Sequence, residues 1–231
     1  MGGSAVASAV ERVERGVRRF GIAASLARVA SLAWTAACRA CYLRERHLWY
    51  ALDLRIARPA AVMPGGFELR RAGPADIALL QDLPTIGLHE AQARHRAGAD
   101  LWLVLDDGAP AFACWIFRER TPVLAARGGW LPLPPATACL EDSVAAPAYR
   151  GRGLAAAAWS AIAGDLARGG MTSIVTKVRE DNAASRRAVE KAGFEPTALM
   201  SLTRLAMRAH VDVSPYRDNA LFAFLEEVLS R

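Results

Sequence analysis

Two glycines and two arginines alternate in one short stretch, Arg150-Gly151-Arg152-Gly153. An apolar, strand-like segment ending at Ala145 precedes it, and an Ala-rich helical pattern opens with Leu154, Ala155 and Ala156. Glycines in such a turn let the backbone curl closely around a ligand, and the first helix amides then point at one spot. That spot, with roughly half a positive charge from the helix dipole, suits a phosphate or pyrophosphate. The turn has one glycine too few for the dinucleotide fingerprint and lacks the Gly-Lys-Ser/Thr of a nucleotide P-loop. Taken alone, the same residues also describe a tight helix start with no ligand.

Few other residues have ligating chemistry. His89 and His95 are six apart, not at the i,i+4 spacing of a zinc helix, and Glu90 with Arg94 reads as an i,i+4 ion pair. Cys38-x-x-Cys41 has no second ligand pair at similar spacing, so both cysteines read as small buried hydrophobes and no metal site is expected. Lys177, on a strand-like segment, could recognise an acidic ligand.

These residues need a scaffold, and the chain is long enough to make one. Its 231 residues are 53% hydrophobic and 23% charged, enough to bury a core and too apolar for a disordered chain. No uncharged apolar run approaches the ~18 residues of a membrane span. Four cysteines are too few for a disulfide scaffold. With 27 Arg against 2 Lys and abundant Ala, the composition reads as a GC-rich bacterial coding sequence. A cytoplasmic protein is expected, with peripheral membrane contact as the alternative. The net charge of +6 belongs to residues 1–60, where ten Arg face four acids, while residues 61–231 are neutral with 19 charges of each sign. A nucleic-acid-binding fold carries its basic stripe on the fold itself, so no nucleic-acid partner is expected.

Val6, Val10, Val13, Val17 and Phe20 form one helical stripe, and residues 21–43 continue a helical pattern with Arg28 and Arg39 on one side. This extension requires a partner surface, either the main domain, a second subunit or a membrane interface. Period-two alternation over residues 47–56 reads as a strand, and Pro64-Gly65-Gly66 marks a boundary. Beyond it, strands are expected at 67–71, 101–105, 111–117, 138–145, 174–179 and 199–207. Helices are expected from Pro74 and at 89–97, 155–168, 183–192 and 219–229. Residues 121–135 read as a Pro/Gly-rich loop. The order describes an α/β (α+β) fold with a mixed sheet, divided as 1–60, 67–210 and a closing helix within 211–231.

Arg150-Gly-Arg-Gly153-Leu-Ala155 does not stand alone. About thirty residues on, Asn182-Ala-Ala-Ser185-Arg-Arg-Ala-Val-Glu-Lys191-Ala-Gly193-Phe194 follows a second strand. Together the two stretches resemble the motifs of the GNAT superfamily of acyl-CoA-dependent acyltransferases, over about residues 67–208. The resemblance implies a splayed, mixed sheet flanked by helices and acetyl-CoA or another acyl-CoA as donor. It implies a pyrophosphate cradle from Gly151 to Ala156 with Arg150 and Arg152 adding charge nearby. The backbone of Ser143, Val144 and Ala145 would bond the pantetheine arm, and Asn182, with Ser185 close by, would hold that arm.

Acyl transfer to an amine needs a neutral amine, donors for the developing oxyanion and a proton for the leaving thiolate. Glu141 and Asp142 lie just upstream on the same strand. Neighbouring strand residues point to opposite faces, so at most one should face the substrate, and Asp142 is favoured. The family's usual Tyr, seven residues after the motif Asn, is Val189 here. Water, Tyr149 or another side chain must then supply the thiolate proton, or turnover is slow; a thiolate of pKa about 8.5 can also leave partly unprotonated. The expected activity is N-acyl, foremost N-acetyl, transfer to an amine of a small molecule or a protein by direct attack in a ternary complex. Two alternatives stay open: a catalytically weak acyl-CoA sensor, and a membrane-peripheral long-chain acyltransferase or homodimer that uses residues 4–43.

Overall fold

Strands in this chain read as nearly continuous apolar runs because both faces of their sheet are covered. The computed structural model describes residues 42–56, 61–205, 208–216 and 220–229. Ten strands appear in chain order: β1 (Tyr42–Asp53), β2 (Phe67–Arg71), β3 (Asp100–Asp106), β4 (Ala109–Phe117), β5 (Arg120–Pro122), β6 (Trp130–Pro132), β7 (Thr137–Ala145), β8 (Ser173–Arg179), β9 (Glu195–Leu205) and β10 (Arg208–Pro215). Among the described residues the α-helices are α1 (Leu88–Arg96), α2 (Leu154–Arg168), α3 (Ala183–Lys191) and α4 (Ala220–Leu229). Eight strands form one mixed sheet in the order β10-β9-β1-β8-β7-β4-β3-β2, and β5 with β6 makes a separate ribbon.

Contacts divide the chain into two units, Met1–Glu45 with Leu202–His210 and Arg46–Ser201 with Val211–Arg231. Of the first, the described residues are strand ends, in which Leu43 and Leu202 are buried. The amphipathic-helix reading of the N-terminal segment, with the Cys38/Cys41 pair, lies outside the described residues apart from Tyr42 and Leu43, which are strand.

In the second unit, alternation sorts side chains to two cores. Leu101, Leu103 and Leu105 of β3 and Ala113, Trp115 and Phe117 of β4 join a cluster with Ala91 of α1 and Leu225 and Leu229 of α4. Trp102 and Val104, with Phe112, Cys114 and Ile116, join the opposite cluster with Leu154, Trp159 and Ile162 of α2 and Val189 of α3. The sheet is thus a layer between α1, α4 and the ribbon on one face and α2 and α3 on the other.

Several elements depart from the sequence reading. The strand expected at 47–56 starts at Tyr42 and ends at Asp53, whose carboxylate accepts the Arg55 amide at 2.9 Å and so makes a turn. It is an inner strand, antiparallel to β8 from His47↔Arg179 to Asp53↔Ser173. The segment opening at Pro74 is a 3₁₀ helix, Pro74–Asp82, and the loop over 121–135 contains the ribbon. Strands of three residues are too short for periodicity to reveal. No strand is expected between 208 and 215, yet β10 lies there as an edge strand with one buried residue, Val213, and the closing helix assigned to 211–231 occupies only Ala220–Leu229. Among the described residues no helix is long and apolar enough to cross a membrane.

Candidate active site

The site begins where two parallel strands part. β7 and β8 pair from Thr137↔Ser173 to Leu140↔Thr176 and no further. There the Thr176 hydroxyl donates to the Leu140 carbonyl at 2.7 Å. β8 continues to Arg179 against β1, while β7 continues to Ala145 against β4. Among the described residues no strand covers the β8-side edge of residues 141–145, so that peptide edge is free to pair with something extended.

On its other side β7 carries a bulge. Its register with β4 runs Phe112↔Ala145 and Ala113↔Val144, then shifts to Trp115↔Glu141, leaving Asp142 and Ser143 opposite Cys114 alone. Asp142 takes a left-handed φ of 46°, which Asp tolerates better than most residues. The bulge corrects the expectation that Glu141 and Asp142 point to opposite faces. Both turn to the α1 side, Glu141 toward Lys177 and Asp142 toward Arg94, while the Ser143 hydroxyl accepts from the Trp159 indole of α2 at 3.2 Å.

The two carboxylates have different surroundings. Glu141 is 8% exposed, and its Oε1 accepts from the Lys177 ammonium, from Thr121 at 3.1 Å and from the Cys139 thiol at 3.3 Å. Lys177 also donates to the Pro122 carbonyl at 2.9 Å, so it is committed to the ribbon and Glu141 and is not free for an acidic ligand. Burial pushes the Lys177 pKa down, but Glu141 overcomes it and the net shift is upward. Burial and then the Glu141 charge push the Cys139 thiol well above its ordinary value.

Asp142 keeps a side chain 42% exposed. Its partner Arg94 is 10% exposed, lies 5.9 Å from the Trp115 ring centroid and 5.8 Å from that of Phe117, and donates from Nε to Glu90 at 3.0 Å. Burial opposes the guanidinium charge, and Asp142 and Glu90 outweigh it to hold the Arg94 pKa above its usual value. The i,i+4 pair was legible in the sequence; the Asp142 contact, which spans 48 residues, was not.

After β7 a short 3₁₀ turn, Pro147–Tyr149, leads into the glycine loop. Gly151 and Gly153 have φ of 78° and 80°, and a Cβ on either would meet nothing within 4 Å. Backbone conformation, not crowding, demands glycine there, and the space beside the loop is open. Gly153 is the N-cap of α2 and supplies no side-chain cap, leaving the amides of Leu154, Ala155 and Ala156 to an outside acceptor. The Leu154 side chain is core. Arg150, Gly151 and Arg152 are exposed. Arg150 donates to the Ala145 carbonyl at 3.4 Å, and the Arg152 guanidinium lies 5.1 Å from the Tyr149 centroid. Tyr149 donates to Asp106 at 2.9 Å, a hydrogen bond that raises its pKa. These features fit an acyl-CoA: donors and positive charge for its phosphates, and an open peptide edge for its amide-bearing arm.

Asn182 caps α3, its Oδ1 accepting from the Ser185 amide at 3.1 Å. Its exposed side chain keeps the amide NH2 as a donor. Val189 is 3% exposed in the core beside Phe194, which meets Trp159 edge-on at 6.4 Å. Among the described residues no group of His, Cys, Asp or Glu could hold a metal ion.

The sequence model described as the acetyltransferase (GNAT) family matches residues 78–194, from the 3₁₀ helix through both motifs. The chain belongs to this family. Among curated proteins none matches the sequence. Solved structures of the same fold include a GNAT-family protein from Novosphingobium aromaticivorans, 22% identical with a TM-score of 0.51, covering 76% of this chain and 66% of that one. A tandem GNAT protein from the clavulanic acid biosynthesis pathway is 18% identical with a TM-score of 0.53, covering 72% and 55%. A GCN5-related N-acetyltransferase from Sphaerobacter thermophilus is 16% identical with a TM-score of 0.52, covering 81% and 57%. This GNAT chain thus spans between 55% and 66% of the length of these three relatives, which share its fold.

Proposed function

We propose that this GNAT protein is an N-acetyltransferase that moves an acetyl group from acetyl-CoA to an amine of a small molecule or protein by direct attack in a ternary complex. One observation carries the reading: the open edge of β7 beyond Leu140 leads straight into the uncapped glycine loop at Gly151 and Gly153.

The donor supplies a thioester carbonyl and a thiolate leaving group. Amides from Gly151 to Ala156 hold its pyrophosphate, with Arg150 and Arg152 adding charge. The edge at Ser143, Val144 and Ala145 bonds its arm and offers an amide to the charge that builds on the carbonyl oxygen. Asn182 donates to the arm, with Ser185 beside it. Asp142 takes the amine proton, directly or through a water. Glu141, with three donors on one oxygen, keeps the strands in place and does not accept that proton. Val189 cannot protonate the thiolate, so a leaving group of pKa about 8.5 departs as the anion or takes a proton from water.

A second reading, acyl-CoA binding without turnover, rests on Val189 alone. Thiol release from acetyl-CoA in the presence of a panel of amines separates the two. Amine-dependent release is expected; calorimetric binding with no release on any amine would make this a sensor, and no binding at all would remove both readings.

A further inference from the structure

The strands that part at Leu140 and Thr176 are joined again one residue later by side chains. Glu141 is the residue after Leu140 on β7, Lys177 the residue after Thr176 on β8, and their ion pair crosses the gap between the diverging strands. Lys177 is in register with Trp49 of β1 and Glu141 with Trp115 of β4, so the sheet order β1-β8-β7-β4 sets the four side chains in one row at the apex of the fork. Every member of the row is at least 86% buried. The Lys177 ammonium lies 5.8 Å from the Trp49 ring centroid, and the indole N–H groups of both tryptophans are buried with no hydrogen-bond partner among the described residues. Thr121 and the Pro122 carbonyl tie the ribbon over the pair.

We propose that the Lys177–Glu141 ion pair is the floor of the acyl site and restricts the donor to short acyl groups. The inference rests on the acyl-CoA reading above and adds to it what the fork accepts. An arm held by the phosphate loop and laid along the open edge runs from Ala145 back toward Glu141, about 13 Å at ~3.3 Å per residue. In this proposal the tip of the arm lies at Asp142 and Ser143, two to three residues or about 7–10 Å from Ala145 and one residue short of the row. An acyl group extending further meets a charged pair and two unpartnered N–H donors. Two or three carbons stop before the row. A longer alkyl chain has to part Lys177 from Glu141 and leave both charges buried and unpaired. The row is thus a specificity determinant that only a longer acyl group would touch, and it needs no residue from the acceptor side.

Calorimetric dissociation constants for acetyl-, butyryl- and hexanoyl-CoA test this on the full chain. Hexanoyl-CoA is expected to bind at least ~30-fold more weakly than acetyl-CoA. In the Glu141→Leu/Lys177→Met double variant, which removes both charges at similar volume, that ratio is expected to shrink at least ~10-fold. Glu141→Asp, which keeps the charge and lowers the floor by one methylene, covers the case of a double variant that fails to fold; butyryl-CoA is expected to gain on acetyl-CoA. Equal affinity of the native chain for acetyl- and hexanoyl-CoA would overturn the floor and leave the coenzyme reading intact. Unchanged discrimination in both variants would overturn the role of the pair. Absence of acetyl-CoA binding in the native chain would overturn the coenzyme reading and the floor with it.

Discussion

Arg94 of α1 donates to Asp142 of β7 across 48 residues of sequence, holding a carboxylate that the bulge has turned to the same face as Glu141. A left-handed residue at a bulge needs a tether, and a guanidinium lying over the Trp115 and Phe117 rings supplies one. The tether leaves the Asp142 side chain 42% exposed.

Asp142→Asn isolates the charge from the geometry, because Asn also tolerates positive φ. If Asp142 receives the amine proton, kcat falls about 100-fold while acetyl-CoA affinity is unchanged. Steady-state kinetics beside calorimetry checks both halves; a variant with native kcat would remove the assigned role.

Gly153→Val places a branched side chain at φ of 80° in the space beside the α2 amides. The strain costs about 1–2 kcal/mol, so a folded domain with a lowered melting temperature is expected. Misaligned amides should weaken CoA at least ~10-fold, since bonds from amides to a charged group contribute about 1.5–3 kcal/mol each. Circular dichroism and calorimetry on one preparation make the comparison, and undiminished affinity would count against the phosphate cradle.

Tyr149→Phe tests whether a phenol protonates the thiolate. The hydroxyl proton is given to Asp106, which also raises the Tyr149 pKa, so kcat should fall less than ~3-fold. A loss of two orders of magnitude would return Tyr149 to the proton path.

Alkaline stability should register the fork ion pair. The folded-state pKa of Lys177 lies above its ordinary 10.5, so the folded chain retains the proton longer than the unfolded chain. The stabilisation is fully present below about pH 10.5 and is lost as pH rises through the folded value. Tyr50, raised by burial and by its hydrogen bond to Glu190, adds a slope of the same sign. The Lys177 share is the difference between the native chain and the Glu141→Leu/Lys177→Met variant in melting temperature from about pH 8 to pH 11. Parallel curves would show that the pair contributes nothing.

Local chemistry was legible where neighbours in sequence are neighbours in space. Gly151 and Gly153 announce a turn because only glycine takes positive φ without penalty, and Leu154 opens a helix whose apolar stripe carries it to the core. The Glu90–Arg94 pair follows from helical spacing. The mixed sheet with helices on both faces follows from alternating strand and helix patterns, although three-residue β5 and β6 fall below the length at which a period can be seen. Simple alternation put Glu141 and Asp142 on opposite faces because nothing local marks the bulge; it exists only against Cys114 of the partner strand.

From residues alone came the fold class, the family resemblance and the glycine turn that opens α2, because turns, caps and period-two or period-3.6 patterns are set within a few positions. Tertiary structure alone decided that β1 lies inside the sheet, that Asp142 belongs to Arg94, and that Lys177 and Glu141 close the fork. Those three relationships join residues 36 or more positions apart, and their partners are chosen by strand register and burial, which no local pattern encodes.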